Sequence, residues 1–154
     1  MDRFDRLLLN ILQEDASLTA EQLAERVPMS SSAIQRRLRR LRDDKVIERD
    51  IAVLSPKACG RPLMFIVSVT VERETPDRMA NFRRWLNRQP NIQQVFYVTG
   101  DTDYILVVVA PDAETYDDLT ARMVGDNPNV KRFTTQVVLN ALKRGLTIPL
   151  VEAD

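Results

Sequence analysis

The chain has 154 residues, 44% of them hydrophobic, with 22 Lys+Arg balanced by 22 Asp+Glu, a length that suits one ordinary domain or two small ones. A single cysteine and the absence of histidine exclude an intramolecular disulfide, the usual zinc ligand sets and both Ser-His-Asp and Cys-His nucleophilic catalysis, and four scattered glycines supply neither GxGxxG nor a Walker loop. Zero net charge means that any attraction to nucleic acid must come from a local patch.

In chain order, Met1-Asp2-Arg3-Phe4-Asp5 is charged and enters an amphipathic stretch directly, without the apolar core or cleavage site of a secretory leader, so the chain reads as cytoplasmic. No apolar run approaches the roughly 20 residues of a membrane-spanning helix. Phe4, Leu7, Leu8, Ile11 and Leu12 form the apolar stripe of a first helix running to about Asp15. Thr19 with Gln22 has the spacing of a capping box, and Ala20, Leu23, Ala24 and Val27 continue as a short second helix. Pro28-Met29-Ser30 breaks it. Ser30 is placed to cap a third helix whose Ile34, Leu38 and Leu41 share one face. Three helices with a tight turn between the last two make a helix-turn-helix, predicted to occupy residues 1–54.

Residues 46–54 have strand-like composition, suited to a small wing or to the lead into the next domain. Residues 55–62, with Pro56, Gly60 and Pro62, have the composition of a linker. From residue 63 to 154 the pattern alternates. Met64–Val71, Ile92–Thr99 and Tyr104–Val109 read as strands, Pro76–Arg88 and Ala113–Val124 as helices, and Val130–Leu142 as largely extended chain. The order βαββαβ predicts a ferredoxin-like fold, α+β in class, with two helices on one sheet face and the other open, so a dimer is expected. Phe82, Trp85, Phe96 and Tyr97 have the spacing of core or interface residues rather than of a stacking platform. Cys59 reads as an incidental thiol.

The third helix carries the chemistry. Between Met29 and Arg42 lie Arg36, Arg37, Arg39, Arg40 and Arg42 and no acid. Opposite its apolar face it presents Ser32, Gln35, Arg36, Arg39 and Arg40, and its N-terminal turn offers Ser31 and Ser32; with Arg37 these are the candidate DNA-binding residues, of the types by which a recognition helix reaches base edges and phosphates. The blander reading is a solvated arginine-rich face balanced by nearby acids. Downstream, Thr99-Gly100-Asp101-Thr102-Asp103 reads as a turn in which Gly100 supplies a positive φ and the aspartates bond locally.

The segments Asp5–Asp15, Glu21–Ala24 and Met29–Leu41 resemble the DNA-binding half of the Lrp/AsnC family, the feast/famine regulators. Val98-Thr99-Gly100-Asp101-Thr102-Asp103-Tyr104, followed by Pro111-Asp112 and Tyr116, is similar to that family's signature in its ligand-sensing domain, so the resemblance spans nearly the whole chain. It implies a transcription regulator that binds double-stranded DNA, assembles as dimers and further to an octamer, and binds a small effector, an amino acid, between dimers. It also implies an effector site at Gly100, Asp101, Asp103 and Tyr104, with Thr134 and Thr135 close by, and no cofactor or metal. Three positions depart from the pattern: Pro28 and Lys45 stand where the family has glycine, and Asp50 where it often has tyrosine. Lys45 is then expected to take a left-handed cap at some cost. Two rival readings are a sensor or interaction module without DNA binding, favoured by Asp50 and the zero net charge, and a small enzyme using the carboxylates of Asp101 and Asp103.

Overall fold

A computed structural model describes residues 1–72 and 75–150. Residues 151–154, the end of the expected C-terminal domain, lie outside the described residues. The element order is α1 (Arg3–Glu14), α2 (Ala20–Ala24), α3 (Ser31–Asp43), β1 (Leu63–Val71), α4 (Pro76–Asn87), β2 (Ile92–Tyr97), β3 (Tyr104–Ala110), α5 (Ala113–Asp126) and β4 (Val130–Val137). The chain divides into two compact units, one of Met1–Ala52 with the segment from Leu142 onward, the other of Val53–Ala141.

In the helical unit each start has a side chain that satisfies otherwise orphaned amides. Asp2 and Asp5 accept each other's backbone N–H, and Thr19 and Gln22 do the same at α2. Ser30 Oγ accepts from Ala33 N at 3.3 Å and starts α3. The end of α3 is equally specific. Lys45 has φ 59°, the one positive φ outside glycine among the described residues. It lets Lys45 N reach Arg42 O at 3.1 Å and Val46 N reach Leu41 O at 2.9 Å, the paired bonds of a Schellman stop.

Leu8, Leu9, Leu23, Val27, Ile34, Leu38 and Leu41 form the core of this unit, with Leu7, Ile47 and Leu150 packed on it. The buried stripe of α1 is turned slightly from the expected one. Asp5 is buried on it, whereas Phe4 is exposed beneath the Arg37 guanidinium, 5.7 Å from its ring centroid. Residues 46–54 form no strand, because the amides of Val46 and Ile47 turn back to Leu41 O and serve the helix stop instead.

The second unit is a four-stranded antiparallel sheet of order β2-β3-β1-β4. Alternation on β1 and β3 sends Phe65, Val67, Val69, Val71, Tyr104, Leu106, Val108 and Ala110 to one face, which packs on Met79, Phe82 and Leu86 of α4 and Leu119 and Met123 of α5. The other face presents Met64, Ile66, Ile105 and Val107, with Phe96 beside Ile105 across the β2–β3 ladder. Phe82 lies in the core, while Phe96 and Tyr97 are exposed in this single chain. The extended run expected to Leu142 leaves the sheet after Val138, whose amide makes a bond to Met64 O at 2.9 Å.

Candidate functional site

On α3 the exposed residues Ser32, Gln35, Arg36 and Arg39 recur at three- and four-residue steps and share one solvent-facing stripe, with Ser31 half-buried at the first turn. Neither Arg36 nor Arg39 makes an ion pair among the described residues. Arg37 and Arg40 are different. Arg37 Nη1 lies 2.6 Å from Asp2 Oδ2 and 2.8 Å from Asp5 Oδ1, and Arg40 Nη2 lies 2.6 Å from Asp5 Oδ2. Arg42 pairs with Asp50 at 3.1 Å, so the acid in place of the usual tyrosine neutralises a neighbouring cation. Of the residues expected to face DNA, Arg37 is therefore turned toward α1, and Arg40 remains half-exposed at the edge of the stripe while bound to Asp5.

The electrostatics of this cluster follow its geometry. The Asp5 amide and then the Arg37 guanidinium hold the Asp2 carboxyl below its ordinary value. Burial pushes Asp5 upward, but the Asp2 amide and Arg37 outweigh it and the net direction is down. Asp2 and then Asp5 raise Arg37 in return.

In the sheet unit, the turn between β2 and β3 is pinned to β1. Gly100 has φ 118°; Thr102 Oγ1 donates to Val69 O at 2.8 Å, Asp103 N donates to Val69 O at 3.0 Å, and Asp103 Oδ2 accepts from Val71 N at 2.7 Å. With its neighbours fastened, Asp101 stands outward. It lines a cavity of about 240 Å³ together with Ser68, Thr70, Thr102, Arg132 and Thr134. Pairing explains the set: Ser68 lies opposite Thr134 and Thr70 opposite Arg132 on the open face. Asp101 and Arg132 both line this cavity, and neither makes an ion pair among the described residues.

The remaining nominated residues are elsewhere. Tyr104 is 0% exposed, edge-on to Phe82, and its hydroxyl donates to Met79 Sδ at 3.5 Å on the helix side of the sheet. Thr135 points to that same side and is hydrogen-bonded to the Tyr116 hydroxyl, whose pKa burial raises against the opposing effect of that bond. Tyr116 stacks on Phe65 and packs against the core. Gly100 shapes the turn rather than lining the cavity.

Residues 1–42 match the AsnC-type helix-turn-helix domain and residues 64–148 the Lrp/AsnC ligand binding domain. The chain belongs to the Lrp/AsnC family of transcriptional regulators. An HTH-type transcriptional regulator of Sinorhizobium fredii is 43% identical over 97% of this chain and 89% of its own length. The crystal structure of an AsnC family transcriptional regulator from Agrobacterium tumefaciens superposes with a TM-score of 0.91 at 30% identity, covering 97% of both chains. A transcriptional regulator from Neisseria meningitidis, solved as a complex with L-Met, gives 0.90 at 28% identity, covering 97% of this chain and 96% of that one.

Within this Lrp/AsnC member, the sequence reading named the turn and Thr134 but not Ser68, Thr70, Thr102 and Arg132, which line the same cavity. A β1–β4 pairing register would have found three of them, since one fixed pair places the rest by alternation. It also missed the Asp2/Asp5 box, although Asp-x-x-Asp has the required spacing.

Proposed function

We propose that this transcription regulator senses a free amino acid in the cavity between the β2–β3 turn and β4, acting in the cytoplasm as a dimer that assembles further. The observation that carries the reading is that Asp101 and Arg132, neither of them in an ion pair among the described residues, line one cavity. A zwitterion satisfies both charges at once, its ammonium on Asp101 and its carboxylate on Arg132, with the hydroxyls of Ser68, Thr70 and Thr134 as further partners. The L-Met held by the Neisseria relative supports the ligand class. Dimerisation is supported by the apolar open sheet face, which a second copy would cover. DNA reading falls to Ser31, Ser32, Gln35, Arg36 and Arg39 at the exposed side of α3, with Arg40 at the edge.

Calorimetric titration with a panel of free amino acids, repeated with the N-acetyl and carboxamide derivatives of any that bind, tests the sensing. Binding is expected to need both charged ends. Derivatives that bind as well as their parents, or a panel with no binder, would overturn it.

A further inference from the structure

The outer side of α1 holds a feature that neither DNA reading nor sensing uses. Asn10 and Gln13, one turn apart, take the backbone of the C-terminal segment: Gln13 Nε2 donates to Ile148 O at 3.0 Å, Ile148 N donates to Gln13 Oε1 at 2.5 Å, and Asn10 Nδ2 donates to Leu150 O at 3.3 Å. The bonds fall on alternate residues of the bound segment, as they do when a sheet edge captures a strand. Leu150 supplies the apolar anchor, packed on the helical core, whereas Leu142 and Leu146 just before it are exposed. The segment is thus held at its far end by a seat that reads backbone plus one leucine.

We infer that this seat makes residues 148–150 a working part of the DNA-reading unit, a strap whose docking sets α1 and, through α1, the recognition helix. The chain of contacts is continuous. The strap sits on Asn10 and Gln13, α1 is a 12-residue helix about 18 Å long, and at its other end Asp2 and Asp5 grip Arg37 and Arg40 of α3. A shift of α1 on losing the strap is therefore a shift of the carboxylates that orient α3. The strap follows β4, the strand that carries Arg132 and Thr134, after ten intervening residues; any influence of the cavity on it rests on the sensing reading above, while the docking role does not.

The test uses the full chain without effector, so a failure of the sensing reading leaves it unaffected. Amide hydrogen exchange at Ile148 and affinity for a duplex selected by the wild-type protein from random-sequence DNA are measured for wild type, for Asn10→Ala with Gln13→Ala, and for Leu150→Ala. Leu150→Ala leaves α1 intact and serves where the double variant fails to fold. Protection of the Ile148 amide in the wild type, its loss in the variants, and a fall in DNA affinity of at least about fivefold with an unchanged salt slope are expected, since no phosphate contact is removed. Three results would overturn the inference: an unprotected Ile148 amide in the wild type, protection that survives the substitutions, or a released strap with unaltered DNA affinity.

Discussion

Nη1 of Arg37 lies 2.8 Å from Oδ1 of Asp5, a carboxylate only 1% exposed at the start of the neighbouring helix. The most basic helix of the chain is therefore divided between two tasks. Arg37 anchors it, and Arg36 and Arg39, without an ion pair among the described residues, are the ones proposed to meet DNA. Replacing Arg36 or Arg39 with alanine is expected to lower the slope of log affinity against log salt by about 0.9 each without changing the melt. Arg37→Met is expected to destabilise the helical unit by about 1.5–3 kcal/mol, the worth of hydrogen bonds to charged partners, with the slope intact. Anisotropy titrations over a salt series, paired with thermal melts, decide it; a reduced slope for Arg37→Met would put that residue on the DNA after all.

Acid should release the same anchor. Asp2 and Asp5 are both held below the ordinary carboxylate value of 3.8, so the stability they contribute is fully present above that value and is lost as pH falls through their lower folded-state values. The stability gap between wild type and Asp5→Asn is expected to stay constant from neutral pH to about pH 5 and then to close on further acidification. Denaturant unfolding over a pH series measures the gap. A gap that widens in acid would contradict the direction of the shift.

Much of this arrangement is legible in sequence, for identifiable reasons. Thr19 with Gln22, Ser30, and the 3.6-residue recurrence of Ile34, Leu38 and Leu41 are local signals, and the structure keeps all of them. The division among the arginines is not local. Arg36, Arg37, Arg39 and Arg40 all fall on the polar side of one helix, and only the packing of α1 decides which of them meet Asp2 and Asp5. The cavity has the same character: the Gly100–Asp103 turn is visible in sequence, whereas Arg132 joins it through a pairing between strands some sixty residues apart in the chain. Thr134 and Thr135 show what strand alternation settles, since neighbours on a strand face opposite sides and only Thr134 reaches the cavity.

Lys45 offers a stability test of a single backbone angle. At φ 59° a side chain costs about 1–2 kcal/mol, and glycine offsets part of that gain through its greater freedom in the unfolded chain. Lys45→Gly is expected to raise stability by about 0.5–1 kcal/mol, read as a higher melting temperature. A lower one would mean that the lysine side chain makes a compensating contact.

The open sheet face should respond to charge. Val107 points to that side, between Ile66 of β1 and Gln94 of β2 in the ladder. A glutamate there would be buried by a second copy at a cost of several kcal/mol, yet left in water in a monomer. Val107→Glu is expected to shift the protein toward monomer in light scattering while its circular dichroism stays unchanged. An oligomer of undiminished size would place the interface elsewhere.

The two aspartates of the β2–β3 turn should separate cleanly, because the structure gives them different partners. Asp103 accepts the Val71 amide at 2.7 Å and holds the turn against β1; Asp101 has no partner among the described residues and faces the cavity with Arg132. Asp103→Ala leaves a part-buried amide unsatisfied and should cost about 1–3 kcal/mol in the melt of the sheet unit. Asp101→Asn keeps the shape of the side chain and removes only its charge, so its stability should move by less than about 1 kcal/mol. Its affinity for a responsive amino acid should fall about tenfold, the equivalent of one charge-assisted hydrogen bond. Arg132→Gln should produce a similar loss from the other end of the ligand. Calorimetric titration and melts of the three variants supply both axes. If Asp101→Asn binds as tightly as wild type while Asp103→Ala loses affinity in proportion to its stability, the turn is a structural corner and the effector is held somewhere else.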